Sequence, residues 1–144
     1  MKNFGSIMDF TQQRNEDLME TFRRVLSSVE FVDMPTIFQL VADSPSKRFW
    51  VSEERASIVI SAMVSGKPLP RMRANKREMF DEIFRRFKIL KKDFPDRCLF
   101  EIVSMIVREP APKFYLTART VGEFIYRIKN GWYDGGQTDK SDNS

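Results

Sequence analysis

A chain of 144 residues, 42% hydrophobic and 31% charged, fits one domain or two small subdomains sharing a core, and no apolar run approaches the roughly 20 residues that span a bilayer. With Cys98 as the only cysteine and no histidine, an intramolecular disulfide and the usual zinc ligand sets within one chain are excluded, so no cofactor or metal is expected. The net charge of +4 is uneven: Lys67 to Arg97 holds eleven Lys or Arg against five Asp or Glu, a basic middle of the kind that meets polyanions.

Residues 1–9 show no firm pattern and read as a loosely held N-terminus, and the absence of a basic-then-apolar leader makes a cytoplasmic protein the expectation. From about Phe10 to Ser28, Leu18, Phe22 and Val25 recur at helical spacing and predict a first helix. Asp33-Met-Pro35 then offers an N-cap and a first-turn proline for a second helix carrying Ile37, Phe38, Leu40 and Val41, which should end near Asp43 ahead of Pro45.

Ser44 to Ser52 follows as a proline-broken basic segment that runs into two adjacent aromatics, Phe49 and Trp50. Ser52 is placed to cap a third helix, with Glu53 and Glu54 in its first turn and Ala56, Val59, Ile60 and Met63 as its inner stripe. The breaker-rich stretch 66–73, opening on Gly66-Lys-Pro-Leu-Pro70, reads as a linker between two halves.

The second half repeats the first. Asn75 with Glu78 resembles a capping box for a fourth helix, whose Phe80, Ile83, Phe84 and Phe87 fall on Leu18, Thr21, Phe22 and Val25 at a shift of sixty-two, with Phe-Arg-Arg identical at 22–24 and 84–86. Asp93-Phe-Pro95 echoes Asp33-Met-Pro35, and Leu99, Phe100, Ile102 and Val103 match Ile37, Phe38, Leu40 and Val41 in a fifth helix that runs on to about Val107. About three extra residues then precede Pro110. The segment 110–117 is the sibling of 44–52 at a shift of sixty-five, with Phe114 and Tyr115 ahead of the capping Thr117, and Val121, Phe124, Ile125 and Ile128 stripe a sixth helix closed by Gly131.

The fold class is therefore all-α: an internally duplicated three-helix unit, six main helices, with an extended Pro/aromatic loop before the third helix of each unit. The predicted organisation is a first repeat at 10–65, the linker at 66–73, a second repeat at 74–133 and a disordered tail at 134–144, which lacks any large apolar residue.

The residues argue against an enzyme. No imidazole stands ready as a base, no glycine loop cradles phosphate, the acid pairs Glu53-Glu54 and Asp81-Glu82 diverge by about 100° on a helix, and Cys98 reads as a small buried hydrophobe on the fifth helix. Two binding readings remain. The first is nucleic acid, with Arg71, Arg73, Lys76, Arg77, Arg85, Arg86 and Lys88 set against phosphates, the opposing reading being a solvated helix whose charges pair three or four residues apart. The second is a protein partner, or a homo-oligomer, docked through the two loops at Lys47, Arg48, Trp50, Lys113 and Tyr115. There Trp50 and Tyr115 should point opposite to the inward Phe49 and Phe114, as neighbours in an extended segment do.

Two resemblances add to this. Leu116-Thr-Ala-Arg-Thr-Val-Gly-Glu-Phe-Ile-Tyr-Arg-Ile128 resembles the recognition helix of response-regulator (LuxR-type) helix-turn-helix domains, and that likeness implies Arg119, Thr120, Glu123 and Arg127 at a DNA groove. It departs from the motif in the long, two-proline connection at 108–116. The repeated aromatic segments are also similar to those of small helical proteins of Bacteroides-type phages and mobile elements, which implies an accessory protein or virion component in a bacterial host.

Overall fold

The computed structural model describes residues 2–132, with side chains from residue 10 onward. Its helices are α1 (Lys2–Ser28), α2 (Met34–Ala42), α3 (Glu53–Ser65), α4 (Ala74–Asp93), α5 (Leu99–Val107) and α6 (Ala118–Lys129), so the protein is all-α. Among the described residues, extended pairing is limited to one isolated antiparallel bridge between Ser46 and Ala111. The tail expected at 134–144 lies outside the described residues.

Local signals account for several helix ends. Asp33 Oδ2 accepts from the Thr36 amide at 3.2 Å at the start of α2. Ser52 Oγ accepts from the Arg55 amide at 3.0 Å, and α3 closes on Gly66 in the left-handed region (φ 71°). Thr117 Oγ1 accepts from the Thr120 amide at 3.1 Å at the start of α6, which ends before Gly131 (φ 73°).

Three boundaries differ from expectation. The helix α1 already begins at Lys2, not near Phe10; no proline interrupts 2–10, and Phe4, Ile7 and Met8 keep helical spacing. Arg73, not Asn75, is the N-cap of α4 and makes no side-chain cap bond, so the capping box does not form. Asp93 ends α4 rather than capping the next helix, and α5 starts only at Leu99, with Cys98 as its exposed N-cap rather than a buried residue.

The chain divides into two units, one of 1–42 with 117–144 and one of 43–116. In the first unit α1, α2 and α6 pack on one another; in the second α3, α4 and α5 do. The division into 10–65 and 74–133 is thus not the division of packing, because the third helix of each expected repeat joins the first two of the other. The linker at 66–73, expected at a boundary, instead joins α3 to α4 inside the second unit. The two aromatic loops, which precede α3 and α6, meet antiparallel at Ser46 and Ala111.

The buried positions keep the two shifts but move one of them. Asp17, Leu18, Thr21 and Val25 of α1 and Met79, Phe80, Ile83 and Phe87 of α4 are sixty-two residues apart. In α2, however, Ile37, Val41 and Ala42 are buried, and in α5 their counterparts are Ile102, Ile106 and Val107, sixty-five apart. The expected match of Leu99 with Ile37 is therefore out of register by three. The two helices have the same nine-residue length, and the extra turn belongs to the end of α4, not to α5.

In the first unit, α2 and α6 approach closely at Gly122: a Cβ there would lie 2.7 Å from Phe38 Cε2, so only hydrogen fits. Phe38 in turn lies 6.2 Å from the Phe22 ring. Sixty-five residues away, the second unit has Ser57 and Val103 at the corresponding places, a larger residue opposite a smaller one. The core of the second unit gathers Phe49, Ala56, Val59, Ile60, Phe80, Ile83, Phe87, Ile102, Ile106 and Tyr115, among others.

Candidate functional site

Both aromatic loops lie in the second unit, and their geometry comes from backbone pairing. Ser46 and Ala111 exchange amide-to-carbonyl bonds, and the Phe49 amide donates to Val107 O at 3.0 Å, anchoring the first loop to the end of α5. Phe49 is fully buried and Phe114 is buried, as the repeated pattern implies.

Tyr115 departs from expectation. It is 7% exposed, not a projecting ring, and stacks on Phe49 with centroids 6.1 Å apart and planes 14° apart. The alternation argument fails because Tyr115 has φ 60°, and a left-handed residue breaks the two-residue period of an extended segment. Such a backbone costs on the order of 1–3 kcal/mol in a bulky residue, offset here by ring burial. Burial is also the first cause that pushes the Tyr115 hydroxyl up to about 12, with the nearby carboxylates of Glu82 and Glu78 adding to it against the opposing Arg86.

The cations beside these rings are largely committed to the fold. Arg86 places its guanidinium 5.0 Å from the Phe49 ring centre, pairs with Glu82 at 2.8 Å and donates to Pro110 O at 3.3 Å. Lys113 pairs with Glu78 at 2.9 Å and lies 5.8 Å from the Tyr115 ring centre. Arg48 donates to Phe49 O and Val51 O, both at 3.1 Å, and stands 5.4 Å over the half-buried Trp50. Burial lowers the Arg48 guanidinium pKa, which Glu53 opposes. Lys47 is exposed. The loops are thus chiefly a closure of the core, with Tyr115 withdrawn from any partner.

The net charge is uneven between the packing units as well. The second unit carries sixteen Lys or Arg against ten Asp or Glu, a net +6, and the first carries eight against ten, a net −2. On α4, Arg77 pairs with Asp81 at 3.1 Å and Arg85 with Glu82 at 2.7 Å. Hydrogen bonds from Arg85 hold the Glu82 carboxyl below the usual range. By contrast Arg71, Arg73 and Lys76 are exposed and form no ion pair among the described residues. They surround the start of α4, whose first turn holds no acid. Lys88 is exposed, with Nζ 4.7 Å over the Phe84 ring.

On α6, Arg119 is exposed but pairs with Glu123 at 3.3 Å, Thr120 is bound to the cap at Thr117, and the Arg127 guanidinium lies 5.2 Å from the Trp132 ring centre. This helix packs in the first unit, apart from the basic segment in chain and in unit.

No protein-family model, curated protein or solved structure matches the chain. Sequence reasoning passed over three exposed apolar side chains at the helix connections, Phe31 (84% exposed) and Val32 (68%) between α1 and α2 and Phe94 (40%) after α4, and it placed Phe100 on an inner stripe although it is 46% exposed in the first turn of α5. For Phe31, Val32 and Phe94 the signal was present, since each lies beside a predicted helix end where no inner stripe claims it. Among the described residues no three His, Cys, Asp or Glu side chains converge as metal ligands, and no helix is long and apolar enough to cross a membrane.

Proposed function

We propose that the protein is a non-enzymatic nucleic-acid-binding module that acts through its second unit. The observation that carries this reading is the +6 charge of that unit, with Arg71, Arg73 and Lys76 exposed and unpaired at the start of α4. Cations without an acidic partner keep their full attraction for phosphate, whereas paired ones must first give up a carboxylate. On this view Arg77, Arg85 and Lys88 are auxiliary contacts and Arg86 serves the fold. The setting that goes with it is a phage or mobile-element accessory protein, on the resemblance of the aromatic segments alone.

The test is fluorescence anisotropy with labelled DNA over a range of NaCl concentration. Affinity should fall linearly with salt on a double-logarithmic plot, and R71E/R73E/K76E should weaken binding and reduce the slope by roughly 2 to 3. Absence of salt-sensitive binding at micromolar protein would refute the proposal. Arg86→Glu is the wrong variant, because it strips the Phe49 ring and Pro110 O of their partner.

A second reading, docking of a protein partner, draws on Phe31 and Val32, exposed between Glu30 and Asp33, where the acidic neighbours disfavour nucleic acid. In its self-association form, light scattering should show an oligomer that F31S/V32S converts to monomer. A monomer before and after the change would end that form of the idea.

A further inference from the structure

The helix α4 carries Arg77, Arg85, Lys88 and Lys92 within an arc of about 80°, since successive residues turn by about 100°. All four are exposed. Asp81, within the arc, pairs with Arg77, and Glu82, outside it, pairs with Arg85, so Lys88 and Lys92 are the cations of the row with no ion pair among the described residues. From Arg77 to Lys92 the row extends about 22 Å at 1.5 Å per residue, room for several nucleotides of an extended strand.

At the end of this row the chain turns through 94–98 and presents aromatic surface. Phe94 closes α4 and is 40% exposed; Phe100, in the first turn of α5, is 46% exposed; Ile89 on the last turns of α4 is 51% exposed. Arg97 sets its guanidinium 5.4 Å from the Phe94 ring centre. Lys91 Nζ donates to Pro95 O at 3.0 Å and Arg97 O at 2.7 Å, which pins the turn that carries the rings. The corresponding turn of the first unit, 29–33, also exposes apolar side chains, but between Glu30 and Asp33 with no cation, whereas here Lys92 and Arg97 stand with Asp93 and Asp96. The same structural position is thus apolar and acidic in one unit, and apolar with both signs of charge in the other.

We infer that this row of cations leading to Phe94 and Phe100 is a track for single-stranded nucleic acid, with phosphates along α4 and unpaired bases stacked on the two rings. The inference rests on the nucleic-acid reading above and narrows it to a strand class. A duplex keeps its bases stacked on one another and offers nothing to a phenyl face, whereas an unpaired base gains by stacking on any aromatic ring, whatever its identity. Exposed rings flanked by cations therefore favour an unpaired strand over a duplex of equal charge.

Anisotropy with labelled dT20, rU20, a 20-base-pair duplex and heparin, at one salt concentration, tests this. The single strands should bind roughly tenfold or more tightly than the duplex, and the dT20 and rU20 arms separate DNA from RNA. F94L/F100L keeps apolar volume but removes both stacking faces; it should weaken the single strands roughly tenfold or more and leave duplex and heparin unchanged. K88E/K92E should weaken all four probes. Circular dichroism melting checks that each variant is folded. Duplex binding as tight as single-strand binding, or an F94L/F100L loss that is nil or equal for every probe, overturns the track while polyanion binding stands. Failure to bind any of the four probes overturns both readings.

Discussion

Ser46 and Ala111 face each other across an antiparallel bridge and exchange both backbone hydrogen bonds at 3.1 Å, although they are sixty-five residues apart and hold matching places in the two aromatic loops. The Ser46 hydroxyl reinforces the crossing by donating to Arg48 O at 2.8 Å, with Lys113 O a further 3.3 Å contact. Ser46 is buried, so water does not replace a lost partner there. Ser46→Ala should cost about 1 kcal/mol, visible as a lower urea midpoint with an unchanged m-value. A midpoint equal to that of the unaltered protein would show that the hydroxyl is idle.

Tyr115 should mark itself in alkaline titration. An unperturbed tyrosine ionises near pH 10, whereas burial moves this one up to about 12. Between those values the folded chain holds a proton that the unfolded chain has released, so stability falls as pH climbs through that window and is unaffected by this group below it. The ultraviolet tyrosinate signal should show a late step near pH 12 that Tyr115→Phe removes. A titration with no such late component would place the ring in water.

The contact of Gly122 with Phe38 predicts coupling. Gly122→Ser introduces a Cβ 2.7 Å from Phe38 Cε2 and should destabilise by about 1–3 kcal/mol, less a few tenths regained in helix propensity. Phe38→Val alone removes ring packing against Phe22 and should cost about 1–2 kcal/mol. Together they recreate the Ser57 and Val103 pair of the second unit, so the double variant should be less destabilised than the sum by at least about 0.5 kcal/mol. Additive costs in a denaturant series would mean that the ring moves aside freely.

Much of the fold was legible because its signals are local. Ser52, Gly66, Thr117 and Gly131 mark helix ends by side-chain capping or by a left-handed backbone, and each acts within four residues of itself. The inner stripes of α1, α3, α4 and α6 follow from helical period alone. The pairing of helices was not legible, since a stripe states that a helix buries one face and not which neighbour covers it. Contiguous and exchanged packing bury the same side chains. Tyr115 was misjudged because its neighbour Phe114 is buried in an extended segment, and the single left-handed residue that breaks the alternation has no mark in sequence when it is not glycine. The basic middle was visible as a count, but Arg86 and Arg71 look alike until one is found over a phenyl ring and the other in solvent.

The exchange of third helices also orders events during synthesis. The second unit is one continuous stretch, 43–116, and its three helices are complete before α6 has been made. The helices α1 and α2 emerge earliest yet must wait for the last helix before their apolar faces are covered. The basic unit can therefore form while α1 and α2 are still open, and the first unit is completed only when α6 joins them.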